Sequence, residues 1–327
     1  MIKRISILLL AMVPVVLWAQ FAPAQDKPGT TAMHADSSAF VAWATGVEVE
    51  RGPMNIAEPD AGMASFGPDL SVALGRPGGI MDVVSLGDGG TATLTFASPI
   101  YNGPGPDFAV FENGFANAVN PETWALELGF VEVSSDGENF FRFPALTYVQ
   151  TEEQLGNAGS INPGQLHNFA SKYGAFYGTP FDLDEVEDNA LLDKMKITHV
   201  RIVDVVGNID PEYATHDSQG HVVNDPWPTP FASCGFDLDA VGVIHDLAHF
   251  DVPENELMAL ALYPNPVSDR LTVEVEGLQS VEVYNLMGQM VMSTSSSVLD
   301  CSELNQGIYF VRVKAENRVA TQRVVKQ

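Results

Sequence analysis

Apolar residues in this chain recur in short alternating runs, broken every few positions by Gly, Pro, Asn or Asp, and almost nowhere at helical spacing. Thr91 to Phe96, Phe108 to Phe111, Leu126 to Ser134, Val200 to Val205 and Leu238 to Ile244 are the clearest runs. A period of two puts alternate side chains on opposite faces of a strand, so such a chain buries apolar surface by packing sheet on sheet. The 28 glycines and 21 prolines supply the turns. Val131-Glu-Val-Ser134, Asp136-Gly137 and Phe140-Phe-Arg-Phe143 carry the strand, tight turn and strand of a β-hairpin. Short helices are expected only near Glu152 to Gly156 and Glu185 to Leu192. The pattern predicts an all-β protein whose main domain is a jelly-roll β-sandwich.

Residues 1–24 read as a secretory signal peptide: Lys3 and Arg4, an apolar run from Ile5 to Trp18, then small-residue cleavage sites at Leu17-Trp-Ala19 or Ala22-Pro-Ala24. The apolar run is too short to span a bilayer, and no other stretch approaches that length, so no transmembrane span is expected in the mature chain. Charge divides the remainder. Residues 25–250 hold 8 basic and 32 acidic side chains, whereas residues 260–327 hold 6 and 7. A binding domain over 25–250, a linker over 251–259 and a second module over 260–327 follow, with Asp251-Val-Pro-Glu-Asn-Glu-Leu257 as the polar, proline-containing joint. The net charge of −26 repels phosphate backbones and argues against nucleic acid as a partner. Two cysteines, Cys234 and Cys301, make no disulfide framework. The polar, small-residue stretch Asp26 to Ser38 is expected to be unordered.

In the second module, strands are expected at Leu271 to Val275, Val281 to Tyr284, Val291, Ile308 to Val313 and Ala320 to Val325, with a turn at Asn285-Leu-Met-Gly288. That is the content of a small immunoglobulin-like sandwich. Leu262-Tyr-Pro-Asn-Pro266, Val283-Tyr-Asn-Leu-Met-Gly-Gln-Met-Val291, Leu304-Asn-Gln-Gly-Ile-Tyr-Phe-Val311 and Arg323-Val-Val-Lys326 together resemble the C-terminal sorting domain of type IX secretion cargo in Bacteroidetes. The resemblance implies the type IX secretion machinery as a partner. It also implies passage across the outer membrane to the cell surface or the medium, commonly with removal of this domain.

The chain has no Gly-x-Ser-x-Gly, no His-Glu-x-x-His and no phosphate-binding glycine loop, so no catalytic site is assigned. His216, His221, His245 and His249 lack a third ligand at zinc spacing and are read as solvated or capping. Acidic residues at strand ends say more. Alternation in Phe236-Asp-Leu-Asp-Ala-Val241 puts Asp237 and Asp239 on one face, roughly 7 Å apart. Asp107 and the pair Glu112-Asn113 bracket the apolar strand between them. Calcium takes six to eight hard oxygens, so Asp107, Glu112, Asn113, Asp237 and Asp239 are the candidate calcium ligands. The competing reading is that each aspartate caps a turn. Trp227, rigid between prolines, and Tyr173, Phe176 and Tyr177, in the aperiodic stretch Gln154 to Thr179, are candidate ligand-binding rings; they equally suit plugging the sandwich and pinning the loop.

Leu86-Gly-Asp-Gly-Gly90, Phe111-Glu-Asn113, Val131-Glu-Val-Ser-Ser-Asp-Gly137 and Gly235-Phe-Asp-Leu-Asp-Ala-Val241 resemble bacterial cell-surface proteins with a galactose-binding-like jelly roll. Three functions are compatible with that resemblance: a non-enzymatic, calcium-stabilised binder of carbohydrate or another extracellular ligand, which the export signals and missing motifs favour; an extracellular hydrolase pairing Glu112 with Asp237 or Asp239; and a nutrient-capture subunit of an outer-membrane transporter.

Overall fold

The computed structural model describes residues 21–249, 260–285, 289–315 and 318–327. The chain divides into two units, Met1–Phe250 and Asp251–Gln327. The expected linker 251–259, residues 1–20 of the expected leader, and positions 286–288 of the expected turn lie outside the described residues. No α-helix occurs among the described residues, which form strands and short 3-10 turns.

In the first unit, Val200 stands beside Leu94 and Val133, and Ile202 beside Ala92 and Val131, on three neighbouring antiparallel strands. Those rows make one apolar face, because every other residue of Ile197–Asp204 and Thr91–Ile100 points the same way. The sheet runs Phe141–Arg142, Gly129–Ser134, Ile197–Asp204, Thr91–Ile100, Gly46–Glu50. A second antiparallel sheet runs Met33–His34, Tyr177–Phe181, Phe108–Glu112, Asp237–Val243, Ala42–Trp43, with Val84–Ser85 also pairing with Asp237–Val243. Phe108, Val110, Val241 and Val243 meet Leu94, Val131, Val133 and Ile202 in one shared core. Phe108, Phe143 and Phe181 form its aromatic centre, with ring centroids 5.0–5.8 Å apart.

Phe108–Glu112 and Asp237–Val243 are buried along their whole lengths. Their outer faces carry Ala109, Phe111 and Ala240, and these pack under Ala35, Met33, Phe40 and Trp43. The cover is close. A Cβ at Gly242 would stand 2.7–2.9 Å from the Phe40 and Trp43 rings, so only glycine admits them. The stretch expected to be unordered therefore reaches into this cover: Met33 and His34 pair with Gly178 and Tyr177, and Ala35 is 6% exposed. The local polarity of 26–38 misleads because the few apolar residues bury against a strand far away in sequence.

The hairpin is present, with Phe141 opposite Val133 and Arg142 opposite Glu132, but its connection is longer than a two-residue turn. Asp136 accepts N–H bonds from Glu138 and Asn139 and orders that connection. A 3-10 turn at Leu183–Glu185 is what forms near the second expected helix; residues 152–156 form none.

The second unit has a three-stranded sheet, Ala261–Tyr263, Arg270–Glu274 and Val298–Asp300, and a four-stranded one, Met290–Thr294, Leu278–Tyr284, Gly307–Ala315 and Arg318–Lys326. Val267, Leu271, Val281, Val311, Val313 and Val324 are buried in its core. The Tyr-Pro-Asn-Pro segment has a mechanical role: Asn265 donates to the Arg323 carbonyl and accepts from the Val325 N–H, clasping the last strand. Cys234 and Cys301 are free thiols, each buried in its own unit.

Residues 21–25 are built into the first unit. Phe21 stacks on Tyr148 and His167 at 5.5 and 5.1 Å, its N–H donates to Gly164, Ala24 is 5% exposed, and Gln25 accepts from the Gly174 N–H. Cleavage after Ala24 would discard the Phe21 stack, whereas cleavage after Ala19 keeps it. N-terminal sequencing of the exported protein is expected to begin at Gln20; a start at Gln25 would contradict this reading.

Candidate functional site

The ladder between Phe108–Glu112 and Asp237–Val243 ends in carboxylates. Glu112 lies opposite Leu238, Asp237 opposite Ser85, and the chain then leaves the sheet on both sides. Segments carrying Asn113, Phe115, Glu127, Asn157, Thr229 and Phe231 close round that end and leave a pocket of about 230 Å³, lined also by Glu112 and Asp237. Phe115 and Phe231 are 60% and 50% exposed and present their rings to solvent.

Glu112 is almost fully buried and accepts from the Gly114 N–H at 2.7 Å and from the Ser171 hydroxyl at 2.8 Å. Asp237, also buried, accepts from the Ser85 hydroxyl and, at 2.9 Å, from the Asn113 amide. Glu127 lines the same pocket. Burial pushes all three carboxyls above their ordinary range, Glu112 and Glu127 far above it, and the mutual repulsion of neighbouring carboxylates adds to the shift in both glutamates. Behind them Asp204 and Asp225 are buried and displaced the same way. No Lys, Arg or His forms an ion pair with Glu112, Glu127 or Asp237 among the described residues. The charge of Arg51 acts on Asp237, but its guanidinium binds the carbonyls of Phe66, Gly67 and Ser85. A carboxylate cluster of this kind holds protons or takes up a cation.

The five candidate calcium ligands do not come together. Glu112, Asn113 and Asp237 do, through the pocket and the Asn113 bond. Asp107 lies at the opposite end of its strand, roughly 16 Å along the backbone from Glu112. It accepts from Gly103, Leu183 and His245 at 2.7–2.8 Å, and so ties three loops together. Asp239 is separated from Asp237 by a bulge: Leu238 faces Glu112 but Ala240 faces Phe111, so the strict alternation that pairs the two aspartates on one face is broken. One Asp239 oxygen accepts from the Gly78 N–H at 3.0 Å, and the other is buried without a hydrogen-bond partner. Among the described residues no three His, Cys, Asp or Glu side chains stand close enough to hold a metal ion by themselves.

The candidate rings are also dispersed. Tyr173 is 1% exposed and its hydroxyl bonds Thr31, so it packs inside the fold. Phe176 is 40% exposed, and Tyr177 meets His34 edge-on at 5.0 Å. The Trp227 indole donates to Asp88 at 3.0 Å, holding its loop down beside the pocket while its neighbour Pro226 lines it. Three of the histidines are capped by aspartate: His221 by Asp217, His245 by Asp107, His249 by Asp246.

Glu127, Phe115 and Phe231 are not singled out by the sequence patterns above. Glu127 had a signal, since it sits between Leu126 and Leu128, both buried, and alternation sends it to the other side.

Burial holds the Asp239 carboxyl up at about 7, and the charge of Asp82 adds to this. A carboxyl raised in the folded state keeps a proton that the unfolded chain releases, so its stabilising contribution is present at low pH and lost as pH rises towards about 7. The displaced carboxyls of the pocket have the same sign. In EDTA the unfolding temperature is expected to fall between pH 4 and pH 8, and Asp239→Asn is expected to make that fall shallower; thermal unfolding at several pH values reads both.

Residues 261–327 match the family described as the secretion system C-terminal sorting domain. No curated protein matches the chain. Among solved structures, a biofilm-associated protein (BSP domain) is similar over 72% of this chain at 12% identity, with a TM-score of 0.18, and the chain spans about half (48%) of that structure's length. The sorting domain marks the chain as type IX secretion cargo, delivered to the cell surface or released.

Proposed function

We propose that this type IX secretion cargo is a non-enzymatic extracellular binding protein, whose acidic pocket holds a hard divalent cation and, through it, a carbohydrate. The observation that carries the reading is the convergence of Glu112, Glu127 and Asp237 in one pocket between two exposed phenylalanine rings. Calcium prefers six to eight oxygens and tolerates irregular geometry. Its three carboxylates do not all reach one ion, so at most two of them with the Asn113 amide bind it, and ligand oxygens complete the shell. Vicinal sugar hydroxyls are suited to this, and the C–H faces of a pyranose pack on Phe115 and Phe231. Asn157, Thr229 and Ser233 add neutral hydrogen-bonding groups to the lining.

The cation also explains how so many buried carboxyls coexist at neutral pH, because binding replaces the protons that they otherwise retain. Thermal unfolding of the full chain at pH 7.5 is expected to rise by several degrees on going from EDTA to calcium, and the rise is expected to vanish in Glu127→Gln combined with Asp237→Asn. A glycan array probed in calcium is expected to give binders that EDTA releases. No thermal shift and no calcium-dependent binder would overturn the proposal.

A further inference from the structure

A second pocket, of about 420 Å³, lies beside the edge strand Met33–His34 and has a different chemistry. Lys172 lines it and is 4% exposed. Its ammonium donates to the Leu166 carbonyl and lies 5.8 and 5.9 Å from the Phe21 and Tyr173 ring centroids, and among the described residues no carboxylate pairs with it. Burial lowers this amine to about 7. Thr179 lines the same pocket at 3% exposure, and its hydroxyl has no hydrogen-bond partner. An unpaired buried ammonium and an unsatisfied buried hydroxyl are both costly to keep, and an oxygen acceptor bearing one negative charge relieves both.

The rest of the lining restricts what carries that charge. Glu185 and Asp182 stand at the more exposed side. Glu185 takes the Asn168 amide and pairs with His167 at 3.3 Å through one oxygen, and Asp182 caps the Asp184 N–H through one of its oxygens, which leaves acceptor capacity on both. Two carboxylates and one amine do not suit a phosphate dianion. They suit a carboxylate with an ammonium a few ångströms away. Phe21, Met33, Pro106 and Pro180 supply apolar walls between the two polar ends.

We propose that this pocket binds a free α-amino acid with an apolar side chain, its carboxylate on Lys172 and Thr179, its ammonium towards Glu185 and Asp182, and its side chain against Phe21 and Met33. The site is separate from the acidic pocket and needs no cation. It also gives Phe21 a reason to survive processing.

Isothermal titration of the full chain in EDTA with L-leucine, L-methionine and L-phenylalanine tests this. At least one is expected to bind, with affinity falling tenfold or more for its methyl ester, which removes the carboxylate charge, and for its N-acetyl derivative, which removes the ammonium. Lys172→Met is expected to weaken binding at least tenfold, and the near-isosteric Thr179→Val several-fold, with thermal unfolding showing both variants folded. Absence of binding by all three amino acids, or affinity unchanged in folded Lys172→Met, would overturn the proposal; so would undiminished binding of the N-acetyl derivative.

Discussion

The ladder between Phe108–Glu112 and Asp237–Val243 lies under two cores at once, and the acidic pocket exists where that ladder stops. Phe108, Val110, Val241 and Val243 face the opposing sheet, while Ala109, Phe111 and Ala240 face the cover made by Phe40 and Trp43. A strand sealed on both faces leaves no water for polar side chains along its length, so apart from Asp239, beside the bulge, they collect at its ends. Glu112 and Asp237 meet at one end; Asp107 closes the other and is satisfied there by three donors. The two ends have similar residues and different chemistry. At the Asp107 end every charge has a partner, and at the Glu112 end the carboxylates accumulate without one.

That contrast is electrostatic. A capped aspartate such as Asp107 contributes by fixing loops; its three donors ease its ionisation, although burial still holds its carboxyl above the ordinary range. Glu112, Glu127 and Asp237 have two or fewer donors each; Asp237 raises the cost of ionising both glutamates, and Glu112 raises that of Glu127. Such a site is poorly stable empty at neutral pH and gains most from a positive occupant. Lys172 presents the inverse case on the same unit, a buried amine without an anion. Both pockets are therefore read by the same rule: a buried charge that the protein leaves uncompensated points to what compensates it.

Much of the fold was legible in the sequence because alternation is a local signal. The runs at Thr91, Phe108, Leu126, Val200 and Leu238 are all strands or lead into them, and the hairpin forms at Val133 and Phe141. The sorting module was legible from its motifs. What local patterns did not carry is pairing at a distance. Met33–His34 becomes a strand only because Tyr177–Phe181 is there to receive it. The bulge after Leu238, which turns Asp239 away from Asp237, depends on the register with Phe108–Glu112. For the same reason the candidate ligands are only partly brought together: Glu112, Asn113 and Asp237 share a pocket, whereas Asp107 and Asp239 have other partners, and Glu127 joins the pocket from the segment between two strands.

Occupancy of the acidic pocket by a cation is read most plainly from anomalous diffraction by crystals soaked in terbium, a hard-oxygen substitute for calcium. A single strong peak is expected inside this pocket, absent from crystals of the Glu127→Gln, Asp237→Asn double variant. A protein whose pocket shows no peak under those conditions, or whose only peak lies at Asp107, would contradict it.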